Sequence, residues 1–128
     1  MDAQLANPNG VHAEQDQLIV GAWGVMTDGF ATKVPGHLLA VSYADKRIQS
    51  LGNGSPIGNL DGVEALTTTS YLVTDWMAGK LYRVQADGSA ELLLELHQGM
   101  ADLEWIENKS LLLLPMMNDN KLLAYTLK

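Results

Sequence analysis

The oxygen-bearing residues of this 128-residue chain recur in step. Asn9-Gly10-Val11-His12-Ala13 matches Asp61-Gly62-Val63-Glu64-Ala65, and Ala101-Asp102-Leu103-Glu104-Trp105 follows the same plan with more drift. Two kinds of chemistry are open to them. His12, Glu64 and Glu104 hold equivalent positions and are expected to line a channel, where a carboxylate beside an imidazole can pass protons; such residues equally serve as solvated side chains or backbone hydrogen-bond partners. Asn9 and Asp61 carry the oxygen donors that calcium or magnesium takes, although Asn-Gly and Asp-Gly are also ordinary turn formers that need no ligand. A second recurrence is aromatic. Trp23 and Trp76 end matching segments, with Met117 in the third copy. Large residues there fill the space between packed sheets or, together with Phe30, form a rim for a sugar or another small ring ligand. No Ser-His-Asp arrangement can be assigned, because no nucleophile-elbow context is present.

The elements that must position these residues are short strands. Leu18-Ile19-Val20, Leu38 to Val41, Tyr71-Leu72-Val73, Leu81 to Val84, Leu92-Leu93-Leu94, Leu111 to Leu114 and Leu122 to Leu127 are brief apolar runs bounded by Gly, Asn, Asp or Pro. Asp87-Gly88, between Tyr82-Arg83-Val84 and Glu91-Leu92-Leu93, is a hairpin signal. No segment carries a long helical stripe, which disfavours doubly wound α/β folds. Gly52-Asn53-Gly54 has no helix after it and so does not read as a phosphate-cradling loop.

Self-similarity organises these strands. His37-Leu38-Leu39-Ala40-Val41, Lys80-Leu81-Tyr82-Arg83-Val84 and Lys121-Leu122-Leu123-Ala124-Tyr125 superpose, as do Ile19 to Trp23, Leu72 to Trp76 and Leu113 to Met117. A period of roughly 42 residues with three or four short strands per copy is the signature of propeller blades. The expected fold is therefore all-β, a three-bladed propeller fragment with blades near residues 6–50, 58–96 and 98–128. First strands are expected near 10–13, 62–65 and 102–105, and second strands near 17–22, 70–75 and 110–115. Third strands fall near 37–42, 80–85 and 121–127, and fourth strands near 46–50 and 90–96. Residues 24–36 are a loop insertion in the first copy, and residues 1–5 are a candidate closing strand for the third.

Composition narrows the partners. Fifteen Asp and Glu against eight Lys and Arg give a net charge of -7, which offers no basic surface for nucleic acid and opposes an anionic membrane. Small cationic partners or an oxygen-bound metal stay open. The absence of cysteine removes disulfides and thiolate sites. No apolar run is long enough for a membrane span and no signal peptide is evident, so the chain reads as soluble with its compartment unspecified. Three blades alone leave two apolar faces uncovered. Two copies related by a two-fold axis would make a six-bladed ring, so a homodimer is expected.

Asn7-Pro8-Asn9-Gly10-Val11, Asn59-Leu60-Asp61-Gly62-Val63, Tyr71 to Trp76, Gly79 to Val84 and Asn120 to Tyr125 together resemble the C-terminal half of the gluconolactonase and regucalcin family of six-bladed, calcium-dependent lactonases. The resemblance implies a divalent metal on the central axis, held by Asn9 and Asp61, with Asp61 also the base that activates water. The family's third ligand, a Glu of the first blade, has no counterpart here, and Asp102 is the best substitute carboxylate. Two functions follow. The favoured one is a propeller scaffold or small-molecule or protein binding module without independent catalysis. The alternative is a metal-dependent lactone or ester hydrolase.

Overall fold

The computed structural model describes residues 5–127, and among these it contains thirteen β-strands and no α-helix. β1 (Pro8–Ala13) and β2 (Gln17–Ala22) lead into a small hairpin, β3 (Gly24–Met26) and β4 (Thr32–Pro35), followed by β5 (Leu38–Ser42) and β6 (Ile48–Ser50). β1, β2, β5 and β6 form one antiparallel sheet in that order, and the β3–β4 hairpin stands outside it. The second sheet runs β7 (Leu60–Thr67), β8 (Ser70–Asp75), β9 (Lys80–Gln85) and β10 (Ala90–Glu95) as a simple meander. The third consists of β11 (Glu104–Ile106), β12 (Leu111–Met116) and β13 (Lys121–Thr126). These are three blades of a β-propeller. The candidate closing strand at residues 1–5 lies, apart from Leu5, outside the described residues.

The same register repeats in every blade. Pro8 opposes Ala22, Leu60 opposes Asp75 and Met100 opposes Met116, and in the first two blades a bulge then shifts the ladder to Val11 with Val20 and Val63 with Val73. A bulge inserts a residue and turns the strand without ending it. Asn9-Gly10 and Asp61-Gly62 therefore lie inside first strands, at bulges, and not in the turns that their composition suggests. The third first strand is correspondingly short, and residues 101–103 enter it without regular pairing. The insertion at residues 24–36 is likewise more ordered than a loop, since Val25 pairs with Val34 across the β3–β4 hairpin.

Burial explains why several strands read as continuous apolar runs. Every residue of β8 is buried, because that strand is sandwiched between blades on both sides. Tyr71 and Val73 pack with Ile19, Leu38, Leu60, Val63 and Val84 toward the first blade. Leu72 packs with Leu81, Met100, Leu103, Leu112, Leu114 and Met116 toward the third. Alternation is lost where both faces are dry. Thr74 is the polar member of this strand. Its hydroxyl accepts from the Gly62 N–H at 2.8 Å and donates to the Ala101 carbonyl at 2.8 Å, tying the first strand of the middle blade to the entrance of the third.

The outward faces are apolar too. On the far side of the first blade Val20 and Leu39 are buried within the chain, while Val11, opposite Val20, is 56% exposed. On the third blade, Leu113 pairs with Ala124 and Pro115 with Leu122, opposite in sense to the buried Leu112 and Leu114; Leu122 is 65% exposed.

Candidate functional site

One hydrogen bond, repeated three times, builds the end of the molecule where the candidate residues meet. The residue following each second strand donates its N–H to a carbonyl ahead of that blade's first strand: Trp23 to Asn7 at 2.9 Å, Trp76 to Asn59 at 3.0 Å and Met117 to Gly99 at 2.8 Å. The three large side chains thus reach the same rim. They line a cavity of about 630 Å3, together with Asn9 and Asp61 from the first strands and Phe30 from the hairpin turn. Asn7, Pro8, Met26 and Asn118 complete the wall. Asn9, Trp23, Phe30, Asp61 and Trp76, far apart in the chain, are therefore brought together. Asn7, Met26 and Asn118 were not legible as site residues, although Asn7 lies in the same Asn-Pro-Asn segment as Asn9.

The aromatic residues do not form a flat platform. Trp23 and Trp76 lie 6.2 Å apart with their planes inclined at 42°, and Phe30 meets Trp23 edge-to-face at 5.8 Å and 62°. The Trp23 indole N–H donates to the Phe30 carbonyl at 2.9 Å, which anchors the hairpin over the rim. Asn59 strengthens that anchor by donating to the Trp23 carbonyl at 2.9 Å and to the Thr32 hydroxyl at 3.0 Å.

Among the described residues Asp61 is the only ionisable group in the cavity wall. Burial pushes its carboxyl above the usual carboxylate range, the nearby Asp102 adds to the rise, and a hydrogen bond from Asn9 opposes both. Its position is enforced by close backbone approach. A Cβ on Gly10 would fall 1.7 Å from the Asp61 carbonyl oxygen, and one on Gly62 would fall 2.8 Å from the Asp102 Cα. Only glycine lets the first strands of adjacent blades come this near around the axis.

His12, Glu64, Asp102 and Glu104 do not line this cavity. They run along or beside the first strands next to it, with Asp102 close enough to Asp61 to raise its carboxyl. Burial raises the Glu64 carboxyl, with Glu104 and then Asp102 adding to it and His12 opposing. His12 meets Tyr71 edge-on at 6.4 Å, and Asp102 is exposed with one carboxylate oxygen accepting the Leu103 N–H at 2.9 Å. Among the described residues no group of three or more His, Asp or Glu side chains converges in a way that could hold a metal ion. Asn9 and Asp61 alone fall well short of the roughly six to eight oxygens that calcium takes.

A second cleft, about 550 Å3, lies between the Asn53–Ile57 segment and the Asp87–Ala90 turn. Its chemistry is largely occupied: Asn53 accepts from Ser55 and Asp87 accepts from Ser89, each from both backbone and hydroxyl. Among the described residues no helix is long and apolar enough to cross a membrane.

No protein-family model matches the chain, and no curated protein matches it. Among solved structures, a streptogramin B lyase is similar at 12% identity and a TM-score of 0.40, over 99% of this chain and 57% of that one. The chain thus spans little more than half the length of that protein. At this identity and score the likeness carries no argument about chemistry, and the propeller assignment rests on the three sheets and their repeated register.

Proposed function

We propose that this chain is a ligand-binding propeller scaffold that takes a small molecule at the rim cavity and pairs with a second copy into a six-bladed ring. The observation that carries the binding reading is the convergence of Asn9, Trp23, Phe30, Asp61 and Trp76 on one cavity. Its volume falls within the roughly 300–1,000 Å3 of small-molecule sites, which combine apolar walls with a few placed polar groups. Pairing is supported by the apolar outer faces that present Val11 on one side and Leu122 on the other, and six lies within the usual four to eight or so blades of closed propellers.

The resemblance to calcium-dependent lactonases offers a different reading, in which Asn9 holds a metal and Asp61 activates water. The donor set of one copy does not fit that role, because among the described residues no third acidic or imidazole group joins these two. Binding is accordingly preferred to hydrolysis.

Tryptophan fluorescence, titrated with a panel of aldonolactones, sugars and small amines, with and without calcium, tests the reading. A saturable change that persists without calcium and disappears in Trp76→Ala is expected. Calcium-dependent lactone turnover abolished by Asp61→Ala would instead establish the hydrolase. Sedimentation at micromolar concentration should give twice the mass of one chain; a stable folded monomer would defeat the ring.

A further inference from the structure

The rim cavity has a chemical bias that its aromatic character alone does not convey. Four of the polar hydrogens that could face a ligand are already committed to backbone carbonyls. Asn7 donates its amide to Gly24 at 2.8 Å, Asn9 to Leu60 at 3.2 Å and Asn118 to Gln98 at 3.4 Å, while the Trp23 indole donates to Phe30 at 2.9 Å. Each of these amides keeps a second N–H beside its oxygen, and that of Asn9 also serves Asp61. Among the described residues no Lys, Arg or His lines the cavity, and the one ionisable group there is the carboxyl of Asp61. The remaining wall consists of the mutually inclined rings of Trp23, Trp76 and Phe30, with Met26 and Met117. Ring faces carry negative potential. A carboxylate, amide oxygens and π faces are therefore prominent on this surface.

A sugar, whose hydroxyls both donate and accept, stacks on one flat ring. This cavity has no flat platform, because its rings are mutually inclined. A rounded group with positive charge matches the wall better, since tryptophan faces are the best aromatic partners for ammonium groups and a carboxylate completes the pairing. Resting on the binding-scaffold reading above, we infer that the rim cavity is a receptor site for small organic cations of the quaternary or tertiary ammonium class, with Trp23 and Trp76 as the aromatic walls and Asp61 as the counter-charge. The net charge of -7 favours the approach of such a ligand.

The test compares choline with 3,3-dimethyl-1-butanol, the same shape with carbon in place of the charged nitrogen, on the full chain at constant ionic strength. Tryptophan fluorescence and calorimetry serve as readouts. Choline is expected to bind saturably and the alcohol at least about tenfold more weakly. Asp61→Asn and Trp76→Ala, each shown to be folded by circular dichroism, should each weaken choline by about tenfold. Equal binding of the two probes, or binding of the alcohol alone, overturns the cation assignment and leaves the binding scaffold standing. Choline affinity unchanged in Asp61→Asn and Trp76→Ala also overturns it, because binding is then elsewhere. If neither probe binds and the wider panel gives nothing, the assignment and the scaffold reading fall together.

Discussion

Thr74 and Asp61 show how single residues set the local energetics. The Thr74 hydroxyl is fully buried and satisfies two backbone groups from different blades. Thr74→Val keeps the shape but leaves the Gly62 N–H and the Ala101 carbonyl without a partner, and a loss of about 1–3 kcal/mol is expected in urea denaturation, with Thr74→Ser retaining most of the stability. Asp61 works in the opposite sense. Its carboxyl is raised in the folded chain by burial and by Asp102, so the charged form is disfavoured relative to the unfolded state. That penalty is present above the raised value and is relieved as pH falls through it. Asp61→Asn should therefore stabilise the unliganded chain at neutral pH, by less than about 1 kcal/mol because water still reaches the group, and the gain should vanish in acid melts. Asn9, Asp61, Trp23 and Trp76 were legible as site candidates because they recur in register. Asn7, Met26 and Asn118 were not, since they contribute by adjacency in space and have no repeated type to mark them.

Among the elements, β8 joins the two cores, and its partner contacts respond to alkali. The Tyr71 hydroxyl donates to Glu14 at 2.9 Å, linking the middle blade to the turn after β1. Burial, followed by this hydrogen bond and the Glu14 charge, pushes the phenol up to about 12. The unfolded phenol ionises near 10, so folding favours the neutral form. The stability this brings is fully present below about pH 10 and is lost as pH rises toward 12. Ultraviolet titration should show late tyrosine ionisation, to which the Tyr82 phenol, also raised by burial, contributes, and Tyr71→Phe should flatten the alkaline loss of stability. The positions of second and third strands could be read closely from the sequence, because their apolar runs are bounded on both sides. The first strands were harder. Glycine marks both a turn and a site of close backbone approach, and at Gly10 and Gly62 the second meaning holds. Gly62→Ala should accordingly cost about 1–3 kcal/mol by forcing apart β7 and the segment at Asp102, measured by thermal melting.

For the molecule as a whole, the proposed ring turns on the outer faces. Leu122→Glu on the third blade and Val11→Glu on the first place charge on the two sheet sides that the ring proposal pairs. Each should shift sedimentation toward the single chain while leaving circular dichroism unchanged, since neither residue belongs to either core. Phe30→Ser, exposed but on the hairpin turn, should leave association intact. All-β class and the three-fold repeat were readable because the period survives in many residues at once. The hairpin formed by β3 and β4 was not, because its short strands carry few of the signals that distinguish a paired segment from a loop.

Every described sheet is assembled from neighbouring stretches of chain, with no strand lent from one blade to another. A circular permutant opened in the connection between β6 and β7, or a tandem gene fusion that places two copies head to tail, would keep all the described ladders whole. The architecture is thus modular at the level of the gene: whole blades can be counted in, moved or duplicated without rewriting the hydrogen bonds inside any of them.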